Sequence, residues 1–326
     1  MVRRSLGLAI FGVSVLGCTT SAPKEESTSQ ASSALGEVAS TTRTFRWGDG
    51  ETQLGFKKAV TERLAMGAPA IAVGPTGQVF VLDALHERVV RLDRTEVNFV
   101  AKVPRDADDI AVGSDGTIAV RRSMKPEVLV IGPGGTGSVD VSGVEDIDAI
   151  ALGKSHRVVV TNAFQETFQF GSPHAPQLPA FVRETKREGA VLLADGSGVV
   201  AVRSKEGELE IRVVAQANDK EEKPRVVARH SLGKGSAARI VGTNGRIVCA
   251  RIEHVAQDAQ NVLVVDREAA CLDSKTGQTM FRTKLPAAGA YVPRRELTFS
   301  GSTLAFAQPT DDGLSVTTWK IEGGAR

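Results

Sequence analysis

Residues 70–83 read AIAVGPTGQVFVLD, and residues 109–122 read DIAVGSDGTIAVRR. Each is a short apolar run, a Gly-containing turn and a second β-rich run. The unit returns as AIALGKSHRVVVTN at 149–162, AVLLADGSGVVAVRS at 190–204, ARIVGTNGRIVCARI at 238–252 and ELTFSGSTLAFAQ at 296–308. A strand–turn–strand unit recurring about every 40 residues has the period of propeller blades. GPTG, GSDG, DGSG and GTNG supply residues that tolerate positive φ, as two-residue hairpins require. The first runs are apolar throughout and do not alternate, which predicts strands covered on both faces.

A third strand follows in most units: RVVRLD at 88–93, EVLVIG at 127–132, ELEIRVVA at 208–215, NVLVVD at 261–266 and LSVTTWKI at 314–321. The third unit is degenerate, with FQETFQFG at 164–171 as its best candidate. Outer strands are predicted at NFVAKV (98–103), SVDV (138–141), FVRET (181–185) and RVVARHSL (225–232), and CLDSKTGQTMFRTKL (271–285) closes the fifth unit. The sixth unit has no fourth strand before the chain ends. The orphan segment TTRTFRW at 41–47 supplies one from the other end, which closes the ring and removes its exposed edges. The expected fold is therefore all-β, a six-bladed β-propeller closed by an N-terminal strand. A seventh blade would require splitting the long fifth unit.

Ahead of the repeats stands MVRRSLGLAIFGVSVLGC at 1–18. Arg3 and Arg4 followed by the apolar run Leu6 to Leu16 have the form of a secretory signal. That run is shorter than the roughly 20 apolar residues a membrane span needs. Val15-Leu16-Gly17-Cys18 resembles the lipobox of bacterial lipoproteins, which implies lipidation of Cys18 and a membrane anchor. Threonine at position 19, where aspartate would signal retention in the inner membrane, implies the outer membrane, facing the periplasm or the cell surface. The Ser/Thr-rich stretch that follows has too little apolar surface to fold and suits a tether. The expected division is a signal peptide at 1–17, a disordered tether at 18–40 and the propeller at 41–326.

Further resemblances carry the same fold. WGDGETQLGF at 47–56 with GAPAIAVGPTGQVFVLDALHERVVRLD at 67–93 resembles an NHL repeat, although the corner Leu85-His86-Glu87-Arg88 lacks the family's asparagine. LDSKTGQTMFR at 272–282 resembles the D-x-x-T-G-x-x-x-W signature of quinoprotein-like repeats, with Phe281 in place of tryptophan. That signature implies a structural turn and no quinone. Both families are propellers, and a fold hosts many functions.

Composition narrows the chemistry. The formal charge of +2 falls to zero without Arg3 and Arg4, and no basic stripe invites nucleic acid. One tyrosine and two tryptophans argue against sugar-stacking platforms. Cys249 and Cys271 remain after Cys18: an oxidising compartment favours a disulfide, and two buried thiols in separate strands are the alternative.

Candidate site residues come from the loops that meet at the channel mouth. The second strands end at Asp83, Arg122, Asn162, Ser204, Arg251 and Ala307. Ca²⁺ takes six to eight oxygen ligands, and one carboxylate, one amide and two arginines do not make such a site. Loops leading into the first strands carry Asp106, Asp108 and Asp109, then Glu145, Asp146 and Asp148. Lys186 and Arg187, Lys234 and Arg239, and Arg294 and Arg295 follow in the later units. If these gather on one face, that face has an acidic and a basic half, and such a field steers a protein partner. His86 falls in a loop that can share this face. No H-x-H, H-E-x-x-H, G-x-S-x-G or P-loop pattern occurs, so no metal, cofactor or catalytic set is expected. The sequence thus predicts a lipid-anchored envelope propeller acting as a non-enzymatic scaffold or protein-binding module. The competing reading is a propeller hydrolase or lyase with a small periplasmic substrate.

Overall fold

The computed structural model describes residues 38–322 apart from 62–63, 95, 176–185, 194, 217–222, 288 and 290. The leader, Cys18, the tether up to residue 37 and the segment FVRET lie outside the described residues. The described chain opens on β1 (Ser40–Arg46). Blade one is β2 (Ala70–Val73), β3 (Val79–Asp83), β4 (Arg88–Asp93) and β5 (Glu96–Lys102). Blade two is β6 (Ala107–Val112), β7 (Ile118–Arg122), β8 (Glu127–Gly132) and β9 (Gly135–Asp140). Blade three is β10 (Ile147–Leu152), β11 (Val158–Asn162), β12 (Glu166–Gln169) and the short β13 (Arg187–Glu188). Blade four is β14 (Val191–Leu192), β15 (Gly198–Arg203), β16 (Glu208–Ala215) and β17 (Arg225–Lys234). Blade five is β18 (Ala237–Thr243), β19 (Ile247–Gln257), β20 (Leu263–Asp273) and β21 (Thr279–Leu285), and β22 (Leu297–Ser300), β23 (Thr303–Pro309) and β24 (Gly313–Lys320) end the chain.

Among the described residues these strands form six four-stranded antiparallel sheets, five of them in simple chain order. The sixth reads β22-β23-β24-β1. The N-terminal segment therefore completes the last blade, in register from Ser40 opposite Trp319 to Arg46 opposite Gly313. Phe45 points inward and is 3% exposed. Just past the strand, Trp47 Nε1 donates to the Thr310 carbonyl at 2.8 Å. The protein is a six-bladed β-propeller whose two ends share one sheet.

The hairpins differ in detail from expectation. Gly74 N–H donates to the Gln78 carbonyl and Gly113 N–H to that of Thr117, leaving three-residue loops where two-residue turns were expected. Each loop ends on a glycine at positive φ, Gly77 (+89°) and Gly116 (+86°), the left-handed position such a loop demands. The outer edge of blade three is the Arg187–Glu188 pair against β12. Arg187 is thus part of that blade and does not lead into blade four.

Five buried apolar clusters fill the junctions between blades six and one, one and two, two and three, four and five, and five and six. Among the described residues, hydrogen bonds join blades three and four: Thr161 Oγ1 to the Ala190 carbonyl (3.0 Å), Gln165 Nε2 to the Ala201 carbonyl (2.7 Å) and Ala201 N–H to Gln165 Oε1 (2.8 Å). Cys249 and Cys271 face each other across β19 and β20, with Cα atoms 4.0 Å apart and the sulfurs bonded. Of the two arrangements the sequence left open, the structure holds the disulfide, on the blade-five face that packs against blade six.

The D-x-x-T-G turn has a plain physical basis. Asp273 Oδ1 accepts the backbone N–H groups of Lys275 and Thr276, both at 3.0 Å, and Oδ2 accepts Arg246 Nε at 3.0 Å. The Thr276 N–H bond leads the stabilisation of the ionised form, with Arg246 adding to it, and together they hold the carboxyl at about 2, below its ordinary 3.8.

Two outcomes follow. Phe45→Ala removes the apolar plug of the closing strand and is expected to lower stability by about 3–5 kcal/mol, read by urea unfolding; a loss below 1 kcal/mol would mean the ring does not depend on that strand. Asp273 has a depressed folded-state pKa, so its contribution is complete above about pH 4 and disappears as pH falls through about 2. The stability gap between the wild type and Asp273→Asn should therefore narrow between pH 4 and pH 2, measured by thermal unfolding across that range.

Candidate functional site

The inner strands begin at one common mouth, and a cavity of about 290 Å³ runs from that mouth along them. Its wall is mixed, with Val112, Ala151 and Leu152 beside Thr161, Thr243, Thr298 and Ser300 among its lining residues. At the mouth the lining changes to Arg239, Arg251, Arg294, Arg295 and Glu296. The charged groups of the site thus gather at the mouth, where the inner strands begin.

Two β-bulges shape this mouth. The register of β6 against β7 skips Asp108, and that of β10 against β11 skips Asp148. A bulge inserts an unpaired residue and re-aims its side chain. The two aspartates occupy equivalent positions in neighbouring blades. Asp108 accepts Arg121 Nε at 2.8 Å and also pairs with Arg121 Nη2. Asp148 pairs with Arg239 from blade five.

Blade six supplies the arms that cross the channel. Arg295 Nη2 donates to Asp109 Oδ2 at 2.6 Å and to the Ile150 carbonyl at 3.1 Å, and its Nη1 donates to the Ile110 carbonyl at 3.0 Å. Its backbone accepts Ile71 N–H and donates to the Pro69 carbonyl, so one residue touches blades one, two and three. Arg294 donates to the carbonyls of Ile147 and Asp148 and lies 3.7 Å from Asp108. Asp109 is fully buried. It also accepts Ile110 N–H (2.9 Å) and Ile150 N–H (3.0 Å). Burial pushes its carboxyl up from the ordinary range, and the guanidinium groups of Arg295 and Arg294 work against that. Burial, with Arg121 nearby, pushes Arg294 down.

The structure therefore brings Asp108, Asp109, Asp148, Arg251, Arg294 and Arg295 to one mouth, but not as two separate charged halves. Acid and base pair with each other across the ring. Arg251 pairs with Glu296 (3.1 Å) and Glu253 (2.7 Å), and Glu296 also receives Arg267 Nη1 at 2.5 Å. The other expected residues lie apart. Asp146 is exposed on blade three, where its carbonyl accepts Ala163 N–H. Arg122 is held by Asp106 (2.9 Å) and Glu127 (2.6 Å) within blade two. His86 binds Asp83 at 2.8 Å. Asp83 is fully buried and also accepts Arg88 Nε (3.0 Å) and Gly55 N–H (3.1 Å). It ties the 47–56 segment to blade one.

Several participants escape the sequence. Arg121, Glu296 and Arg267 carry no motif, and it is Arg121, one residue before the end of its strand, and not Arg122 that reaches the mouth. The scarce aromatics also gather: Trp47 stacks on Phe56 at 5.0 Å and Phe56 on Tyr291 at 6.0 Å, with the Tyr291 hydroxyl donating to the Ala68 carbonyl at 3.3 Å. Among the described residues, no three His, Cys, Asp or Glu side chains converge as a metal-ligand set.

A second feature stands on the same face. β19 and β20 remain paired from His254 opposite Asp266 to Gln257 opposite Leu263. β18 stops pairing at Glu253 and β21 at Arg267. Four residue pairs thus project as a two-stranded arm, about 13 Å at 3.3 Å per residue. Its tip is closed by Asp258, whose Oδ1 accepts Gln260 and Val262 N–H. Val255, Val262, Leu263, Val264 and Val265 on it are 41–65% exposed.

No family model and no curated protein matches the chain. Solved structures are similar at low identity. Virginiamycin B lyase from Staphylococcus aureus is 10% identical with a TM-score of 0.36, covering 88% of this chain and 100% of that one. The PQQ-bound aldose sugar dehydrogenase of Streptomyces coelicolor is 11% identical with a TM-score of 0.41, over 87% and 99%. The Pan2 WD40 domain of Neurospora crassa is 10% identical with a TM-score of 0.41, over 79% and 90%. These neighbours include enzymes and a WD40 domain, and none carries its activity to this chain.

The hub itself is testable. Asp109→Ala strands Arg295 and should destabilise the protein by about 3–5 kcal/mol. Arg295→Met in the same background should add little, giving a coupling energy of roughly 1–3 kcal/mol in a double-mutant cycle by urea unfolding. Strict additivity would separate the two residues.

Proposed function

We propose that this protein is a lipid-anchored propeller of the bacterial cell envelope, acting as a non-enzymatic binding module for another envelope protein. The observation that carries this reading is the β19–β20 arm. Among the described residues neither neighbouring strand continues beyond Glu253 and Arg267, and past the Val255 N–H, which Ser236 Oγ accepts at 2.8 Å, no strand lies beside the outer edges of the arm. Four of its eight paired side chains, Val255, Leu263, Val264 and Val265, are valine or leucine. Open edges bearing apolar residues are surfaces on which an extended partner segment adds as a further strand. Backbone hydrogen bonds supply affinity there, and alternate side chains supply selectivity.

The anchor supports the reading from the other end of the chain. Lipidation at Cys18 holds the disc at a membrane, and the Ser/Thr-rich stretch gives it reach. The paired charges of the mouth then serve the ring more than a partner. Asp109 and Arg295 are taken up by one another, and the exposed Asp146 lies apart from the mouth on blade three. A partner drawn to this face meets the arm first.

The test joins both ends. Cys18→Ser should move the protein from the membrane to the soluble fraction and abolish labelling by a radioactive fatty acid. A photo-crosslinking residue at Leu263 should capture a discrete envelope protein, and one at Lys154 on the opposite face should not. Val255→Lys with Val265→Lys should cut the Leu263 yield at least tenfold. Equal capture from both faces, or yields untouched by the lysines, would overturn the arm as the docking element.

A further inference from the structure

We infer that the arm is self-complementary: the free edge of β20 pairs antiparallel with the same edge of a second copy of this chain, about a two-fold axis at Val264. This contact uses the same arm as the docking reading, on which it rests, and covers that arm when no partner strand is there.

Asp258 N–H donates to the Val262 carbonyl, so the two form a hydrogen-bonded pair at the tip. Hydrogen-bonded and non-bonded pairs alternate along an antiparallel ladder. In the register of β19 on β20, Ala256 with Val264 and His254 with Asp266 are then bonded pairs. Val255 with Val265 and Gln257 with Leu263 are non-bonded pairs, whose N–H and C=O groups point to the outer edges. On the β19 side Ser236 Oγ sits on this edge, accepting Val255 N–H at 2.8 Å. On the β20 side, among the described residues, the N–H and C=O groups of Leu263 and Val265 have no strand to bond.

Leu263 and Val265 stand one residue either side of Val264. With Val264 on a two-fold axis, Leu263 of one copy lies opposite Val265 of the other, and each outward N–H meets a carbonyl. No other antiparallel register uses all of these groups. The place is vacant, because β21 runs beside β20 only as far as Arg267 and the second copy takes up from Asp266. Charge does not oppose the contact, since Asp266 then faces Val262 and not its own counterpart. Leu263 and Val265 of both copies fall on one face of the joined sheet, where adjacent apolar side chains stabilise the pairing.

Other strands at the rim are guarded against such contact. β1 carries Arg43 and Arg46, and β21 carries Arg282 and Lys284. β5 is bulged at Val100, and β17 at Val227 and Leu232. Charges and bulges are the devices by which edge strands avoid pairing. From Val262 to Val265 the arm has neither. With Ser236 seated on the other edge, association stops at two copies, as a two-fold contact allows. A contact this small belongs with weak, transient interfaces, so a partner strand can displace the second copy.

The experiment uses the purified full chain, where no partner is present, and reads disulfide cross-linking on non-reducing gels. At the axis the two Val264 side chains form a non-bonded pair, the type that Cys249 and Cys271 bridge between β19 and β20. Val264→Cys should give a dimer of twice the chain mass, in a yield that rises with protein concentration. Val262→Cys should give about tenfold less, although Val262 is the more exposed of the two, 57% against 41%. Leu263→Pro removes one outward N–H and leaves the β19 ladder intact. Added to Val264→Cys, it should cut the dimer about tenfold with the Tm unchanged. Equal cross-linking from Val262→Cys and Val264→Cys, a dimer indifferent to Leu263→Pro, or no dimer at any concentration would overturn the self-pairing. Photo-capture at Leu263 in the envelope is read separately: a product of twice the chain mass is the second copy, and any other is a partner. Either reading can therefore fail while the other stands.

Discussion

Ring closure is the constraint on which everything else here depends. A blade buries its two faces only against two neighbours, so a row of blades is stable only if the last meets the first. This chain meets that demand with residues nearly as far apart as its length allows. Thr42 and Thr317, 275 positions apart, share a hydrogen bond in the closing sheet. Trp47 reaches Thr310, and Phe45 fills the space between them. The closure is made twice, at the rim by β1 on β24 and at the centre by Arg295 on the start of β2. Contacts of such separation are slow to form, but once made they leave no open end from which the ring can unzip.

The charged hub answers a second weakness. Among the described residues apolar clusters occupy five junctions, while the junction between blades three and four carries hydrogen bonds, with an inner strand only two residues long. The arginines do not patch that seam directly. Arg239 of blade five and Arg294 and Arg295 of blade six reach across the channel to Asp148, Asp109 and the carbonyls of Ile147 and Ile150. Blades two and three are thereby tied to five and six by a route that bypasses blade four. A buried ion pair is weak evidence of net stability, since desolvation offsets much of its attraction. What it does supply is a fixed position, because a guanidinium bound to one carboxylate and two carbonyls has no second comparable arrangement.

The fold was legible because each unit states its own pattern. Turn glycines, doubly covered strands and the unpaired TTRTFRW segment are all local facts, and together they imply six blades and a shared terminal sheet. The mouth was legible only in part. The charged residues were identified, yet their relation to one another was not, since opposite signs at 109 and 295 read as two halves until the ring brings them to 2.6 Å. The bulges at Asp108 and Asp148 add a residue to a strand without altering the hydrophobic pattern, so no periodicity reveals them. The arm was hidden differently: NVLVVD at 261–266 reads as an ordinary third strand, and only the early end of its neighbours leaves it standing free.

That arm and the hub are parts of one strand face. On β19 the odd positions run Cys249, Arg251, Glu253, Val255, and on β20 they run Cys271, Ala269, Arg267, Val265, all toward blade six. Side chains two apart share a face, so a disulfide in the core, a guanidinium pair at the mouth and an exposed valine pair on the arm follow one another along one ribbon. The Cys249–Cys271 bond fixes the register at its base. With the register fixed, the pairing of Arg251 and Arg267 with Glu296 and the placing of Val255 and Val265 on the arm are set by the same ribbon.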